Sequence, residues 1–219
     1  MLISHKHKFI TIDIPKTGTR SMRHTLEPLG IIDIAGGPYE TRHNPFVQHG
    51  SAVDAKKQFI KKNWNWQEYY KWIIVRNPWA RYFSFLKYYK NYGEKYLQSD
   101  ESIPWGSVQI NQGKMAADLF RGRTDQQVLK IIILNNDSQS SYYSDNDGEV
   151  IVDYIARFEN LRNEYVYFCD RVGVNNTTLE HGNKSSHTSS LYEIYNQELT
   201  DLVAEKDKAV INLMNYQYE

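Results

Sequence analysis

The stretch whose reading decides the fold is Lys8-Phe-Ile-Thr-Ile-Asp-Ile-Pro-Lys-Thr-Gly-Thr-Arg-Ser21, KFITIDIPKTGTRS. Its first part, Lys8–Ile14, is β-rich and predicts a short buried strand. Pro15 ends that strand, and Gly18 permits a tight turn with close backbone approach. From Ser21 to Leu29 the pattern predicts a short helix, with Ser21 as a candidate N-cap and Gly30 as its stop. A strand, a glycine loop and a helix start together favour an anion, because N–H groups and the helix dipole both point to the loop. The usual phosphate loop is longer, richer in glycine and ends in Gly-Lys-Ser/Thr. Here Lys16 precedes the glycine, and Thr17, Thr19 and Ser21 add hydroxyls. Taken alone, a short glycine loop of this kind reads first as an ordinary strand-to-helix connection with an exposed lysine.

Outward from this stretch, strands and helices alternate. Ile31–Ile34 predicts a second strand, ended by Gly36-Gly37-Pro38. Ser51-Ala-Val-Asp54 resembles a capping box with Asp in place of Glu, opening a helix to about Lys62. Lys71–Arg76 (KWIIVR) predicts a buried strand, and Pro78 suits the first turn of a helix running to about Tyr92. In the second half, helices are expected over Ser107–Phe120, Asp125–Leu134, Leu161–Val172 (stopped by Gly173) and much of Leu191–Met214, with a strand over Glu149–Tyr154 and a polar loop over Gly182–Ser190. This order predicts an α/β fold, a single domain over residues 1–219. A central parallel sheet is flanked by helices, with a more helical C-terminal half. Ligands in such sheets sit at the carboxyl ends of the strands. Both the Lys16 loop and Arg76-Asn-Pro78 lie at strand ends.

The bulk composition narrows the class. An aromatic share of 14 %, with 17 Tyr and 5 Trp, supplies core material that offsets a modest apolar fraction of 41 %. The one cysteine, Cys169, allows no intramolecular disulfide, which fits a reducing compartment. No signal-like segment and no apolar run of membrane-spanning length is found, so a cytoplasmic protein is expected. Net charge is zero, yet residues 1–100 carry 16 Lys and Arg against 8 Asp and Glu. That bias suits an anionic ligand in the N-terminal half.

The second strand end adds chemistry. In Arg76-Asn-Pro-Trp-Ala-Arg-Tyr-Phe-Ser84, Arg76 leaves a buried strand, and Arg81 and Ser84 share a helix face. An arginine fork with a hydroxyl is good equipment for a phosphate monoester. The bland alternative is that Arg81 and Ser84 are solvated.

PKTGT after the first strand, followed by a hydrophobic strand ending in RNP with Arg and Ser at these spacings, resembles the sulfotransferases that use 3′-phosphoadenosine 5′-phosphosulfate (PAPS). Asp153-Tyr-Ile-Ala-Arg-Phe-Glu-Asn-Leu161, Gln139 before a Tyr-rich turn, His181-Gly-Asn-Lys-Ser-Ser186 and the tail around Tyr192, Tyr195 and Glu198 resemble the carbohydrate-type and bacterial branch. The resemblance implies a three-layer, P-loop-like fold and sulfuryl transfer from PAPS to a hydroxyl. It places the 5′-phosphosulfate on Lys16, Thr17, Gly18, Thr19 and Ser21, and the 3′-phosphate on Arg76 and Ser84. Lys184 and Ser185 are expected to close over the 3′-phosphate by looser analogy. Arg20 departs from the pattern, where many members have Thr or Ser; its guanidinium either adds a phosphate contact or points to solvent.

The implied reaction needs a base. His49, in Gln48-His-Gly-Ser51, resembles the His-Gly segment that carries the base in some glycan sulfotransferases, and a histidine suits that work near neutrality. Glu40 and His43 are the alternatives. His5 and His7 are expected to be solvated, and no convincing metal set is found. The acceptor is a sugar or glycan, a phenol or a small alcohol. No nucleic-acid motif is present and no membrane partner is expected; the oligomeric state is left open. Competing readings are a P-loop-type kinase or hydrolase, which would need a motif this chain lacks, and an anion-binding module without catalysis.

Overall fold

A computed structural model describes residues 1–98, 107–176, 178–179 and 193–218. The chain divides into two compact units, one of Met1–Asn77 with Ser138–Ser186 and one of Pro78–Asp137 with His187–Glu219. The strands are β1 (Leu2–Ser4), β2 (Phe9–Ile12), β3 (Ile34–Ala35), β4 (Tyr70–Val75) and β5 (Tyr154–Arg157). The helices are α1 (Thr19–Leu26), α2 (Ala52–Lys61), α3 (Pro78–Gln98), α4 (Ser107–Phe120), α5 (Asp125–Asn135), α6 (Leu161–Val172), α7 (Gln197–Lys206) and α8 (Lys208–Met214).

The first unit holds all five strands in the order β3-β1-β2-β4-β5. β2 and β4 pair in parallel from Phe9↔Tyr70 to Ile12↔Ile73, and β4 pairs with β5 in parallel up to Val75↔Arg157. β1 runs antiparallel to both β2 and β3. The sheet is therefore mixed rather than wholly parallel. The reason is local: a strand of three residues carries no periodic signal, and the tight turn that follows it returns the chain antiparallel. Lys8 provides the left-handed residue of that turn, at φ 51°.

β4 is buried on both faces, as its near-continuous apolar run predicts. Trp72 and Ile74 join Leu2 and Phe9, with Met22 and Leu26 from α1 and Tyr165, Phe168 and Val172 from α6, in one core. Ile10, Ile12, Ile73 and Val75 are buried on the opposite face. β2, β4 and β5 run the same way, so the segments after Ile12, Val75 and Arg157 all leave from one end of the sheet.

Two strands begin three or more residues later than the sequence pattern predicts. β3 starts at Ile34 rather than Ile31, because Asp33 takes the His5 N–H at 2.6 Å and its own N–H reaches the Ile3 carbonyl at 2.9 Å. β5 starts at Tyr154 rather than Glu149. Asp153 there accepts from both the Lys71 N–H (2.7 Å) and the Lys71 ammonium (2.9 Å), fixing the register at Trp72↔Tyr154. The Ser51–Asp54 capping box forms as expected, with both of its reciprocal bonds present.

In the second unit all described elements are helices. α3 continues to Gln98, past the expected end near Tyr92. Gly93 does not stop it but lets α4 approach: a Cβ there would lie 3.0 Å from the Ala117 nitrogen. Trp79 and Tyr195 are packing residues of this unit. The Trp79 indole N–H donates to the Thr200 carbonyl (3.1 Å), and the Tyr195 hydroxyl donates to the Trp79 carbonyl (2.9 Å). Among the described residues no helix is long and apolar enough to cross a membrane.

Candidate functional site

The loop after β2 is held by its own residues. Thr17 is buried, and its hydroxyl donates to the Ile14 carbonyl at 2.9 Å, closing the loop on itself. Lys16 sits in the left-handed region at φ 72°, a conformation that costs a non-glycine residue about 1–2 kcal/mol. Strain of this kind is kept where the surroundings over-determine it, often at functional sites. Gly18, at φ 82°, is the N-cap of α1. A Cβ at this position would come within 2.9 Å of Leu161 and 3.0 Å of Phe158, so the loop also needs glycine for space.

Ser21 is thus not the N-cap. The positive φ of Gly18 starts the helix at Thr19 and puts Ser21 inside its first turn, 8 % exposed. No side chain caps α1. Gly18 has no side chain to cap the helix, and the Ser21 N–H donates to the Gly18 carbonyl at 2.9 Å. Thr19 is nearly buried, whereas Arg20 is exposed and donates through Nε to His24 at 3.3 Å.

The loop after β4 meets this one. The Arg76 guanidinium donates to the Lys16 carbonyl at 3.2 Å and lies 4.3 Å from the centre of the Phe158 ring. Asn77 N–H donates to Glu159 at 2.7 Å. The third strand-end segment, Phe158–Leu161, therefore packs against both loops. Burial pulls the Lys16 ammonium down to about 8, with smaller contributions from Arg76 and Arg20. Lys16, Arg76 and Arg20 are thus close enough for the two arginines to act on the lysine, and a cluster of that charge favours an anion over a cation.

His49 is brought to the same strand end. Gly36 and Gly37 pair with the 46–48 segment: Gly37 N–H donates to the Phe46 carbonyl (3.0 Å) and Gln48 N–H to the Gly37 carbonyl (2.6 Å). A Cβ at Gly36 would lie 2.9 Å from the Val47 and Gln48 backbone. Just past this contact, His49 Nδ1 donates to the Asp13 carbonyl at 2.8 Å. That bond leaves the lone pair of the neutral ring on Nε2. His49 is exposed as a residue; partial desolvation of its ring lowers its pKa, and the bond to Asp13 works against this. His43 instead lines a shallow hollow with Asp33, Phe46 and Lys62, and Glu40 is exposed.

The structure also supplies residues that the sequence pattern did not single out. Asp13 is 2 % exposed; its carboxylate takes the Met1 amino group and the Thr11 hydroxyl (3.3 Å) and lies 3.8 Å from Arg23. A carboxylate between two isoleucines at the end of the β-rich run, Ile12-Asp-Ile14, was the available signal. Phe158 as a platform for Arg76 had none. Ser84 is half-buried on α3, in the second unit. Arg81, in the same unit, is neither solvated nor near its surface: it is fully buried, donates to the Asp137 carbonyl at 3.2 Å and packs on Tyr82 and Phe85. Glu198 pairs with Lys130. Lys184 and Ser185, with His181, Ser186 and Tyr192, lie outside the described residues. Among the described residues no group of three or more His, Cys, Asp or Glu side chains is arranged to hold a metal ion.

No family model matches the sequence, and neither a curated protein nor a solved structure matches it significantly.

Proposed function

We propose that this chain is a sulfotransferase that moves the sulfuryl group of PAPS to a hydroxyl of an acceptor. The observation that carries this reading is the meeting of two strand-end loops, with Arg76 bonded to the Lys16 carbonyl beside the uncapped start of α1. The same reading takes the chain as a three-layer, P-loop-like enzyme working in the cytoplasm on a sugar, phenol or small alcohol.

In the proposed reaction the amides of Gly18, Thr19 and Arg20 and the hydroxyls of Thr19 and Ser21 hold the 5′-phosphosulfate at the helix start. Arg76 binds the 3′-phosphate as a fork. The acceptor oxygen attacks sulfur in line, the bond from sulfur to the bridging oxygen breaks, and 3′,5′-ADP departs. Lys16 donates to that bridging oxygen as charge builds on it. His49 Nε2 takes the acceptor proton. A sulfuryl group carries less charge than a phosphoryl group, so an ammonium and backbone N–H groups supply the stabilisation the leaving group needs.

Lys16→Ala tests the assignment. Loss of a donor aimed at the transition state is expected to lower turnover by about 10²- to 10³-fold. The affinity for 3′,5′-ADP, which lacks the scissile bridge, is expected to change less than about tenfold. Equal losses in both would reduce Lys16 to an anchor and remove its part in the chemistry.

A further inference from the structure

Gln139 is 0 % exposed, in the short turn of helix over Gln139–Tyr142. Its side-chain amide holds the backbone of a single residue, Arg76, through both of that residue's polar groups. The oxygen accepts from the Arg76 N–H at 2.9 Å, and the nitrogen donates to the Arg76 carbonyl at 2.8 Å. Those are the two backbone groups a neighbouring strand would pair, at the point where β4 has ended and Pro78 is about to open a helix. Sixty-three positions separate the two residues in sequence. A buried primary amide satisfied in this way is expensive to disturb, since either lost bond leaves a polar group unpaired.

We propose that Gln139 is the positioning residue for Arg76: its paired bonds fix the Arg76 backbone, and so aim the guanidinium at the anion that the loop binds. The inference rests on the reading of Arg76 as a ligand of the nucleotide. The rest of Arg76 is fixed by the Lys16 carbonyl and the Phe158 ring, which set the side chain but not the peptide. Only a group that both donates and accepts can do what Gln139 does. A carboxylate of the same shape accepts from the N–H but presents a second oxygen to the carbonyl. A protonated carboxylic acid restores the missing donor.

Gln139→Glu therefore converts the clamp into a titratable one. The charged groups near the clamp include Arg76 itself, Lys16 in the adjoining loop, Glu159 through Asn77 and Arg157 on β5 opposite Val75, and wild type measured over the same pH range subtracts their contribution. Two readouts are followed from pH 5.0 to 7.5: the amide resonance of Arg76, and the dissociation constants of 3′,5′-ADP and inorganic pyrophosphate. In the variant, the Arg76 amide is expected to titrate, and the affinity ratio to wild type is expected to move from near 1 at the acid end to about tenfold weaker at pH 7.5, in step with that resonance. Gln139→Ala is expected to be weaker at every pH with no titration. An Arg76 amide that titrates while affinity stays level with wild type overturns the positioning role. A flat affinity ratio with no titration of the amide overturns it as well. If wild type binds pyrophosphate but not 3′,5′-ADP, the nucleotide reading fails while the pyrophosphate arm still decides the clamp. If it binds neither, both fall.

Discussion

Arg76 and Arg81 stand five residues apart in one motif, and the protein uses them in opposite ways. Arg76 is half-buried at the end of β4, with its fork on the Lys16 carbonyl and its plane over Phe158. Arg81 is wholly buried on α3, bonded to the Asp137 carbonyl and enclosed by the Tyr82 and Phe85 rings. The difference is not in the residue but in where the chain leaves it. A strand end in a parallel segment opens onto neighbouring loops, and the inward stripe of a helix closes onto a core. A guanidinium in the first place ties two strand-end loops together. In the second it organises packing.

Substitution of the two arginines separates these roles. Arg81→Ala leaves a cavity and a carbonyl without its donor, and is expected to lower unfolding free energy by about 3 kcal/mol in urea denaturation. Its expected effect on 3′,5′-ADP affinity is within about twofold once folded protein is selected. Arg76→Ala reverses the pattern. Loss of a charged hydrogen-bonding fork, about 1.5–3 kcal/mol, weakens 3′,5′-ADP by roughly ten- to hundredfold in calorimetry and moves stability less than Arg81→Ala does. If Arg81→Ala weakens the nucleotide as much as Arg76→Ala, the division between ligand and core arginine is wrong.

The smallest expected effect sharpens the electrostatic half of the comparison. Lys16 is pulled down to about 8 by burial and its neighbouring arginines. Below that pH it is an ammonium and attracts the anion; above it the charge is lost. Affinity for 3′,5′-ADP is expected to fall about fivefold between pH 8 and 9, and the Lys16→Ala variant is expected to show no such step. Stability of the ligand-free protein moves the other way. The folded pKa lies below the ordinary lysine value, so the unfolded chain holds more protons between the two, and this group's contribution to stability rises with pH from about 8 towards 10.5. A level affinity across that window would mean that Lys16 does not face the ligand.

Much of this arrangement was legible in the sequence, for local reasons. The β-rich run before Pro15, the glycine turn, the capping box at Ser51 and the Gly173 stop of α6 are each encoded within a few residues. What was not legible depends on distant partners. β1 is too short to announce itself, and it made the sheet mixed. Asp33 and Asp153 set strand starts through contacts with His5 and Lys71 that no local pattern contains. The burial of Arg81 follows from the rings and the carbonyl that surround it in its own unit. Gln139 was visible only as a residue before a Tyr-rich turn; its grip on Arg76 reaches across 63 positions of sequence. At the site, the cationic loop could be read from KFITIDIPKTGTRS itself. The left-handed Lys16, the Phe158 platform and the His49 tautomer required the fold.

The central claim is that the loop at the end of β2, with Arg76 across from it, is built for a 3′-phosphorylated adenosine nucleotide rather than for a triphosphate. Calorimetric titration of wild type with 3′,5′-ADP and, separately, with ATP and magnesium tests it directly. The account predicts binding of 3′,5′-ADP at least about tenfold tighter than ATP, a difference of about 1.4 kcal/mol. ATP binding with no detectable affinity for 3′,5′-ADP would contradict it.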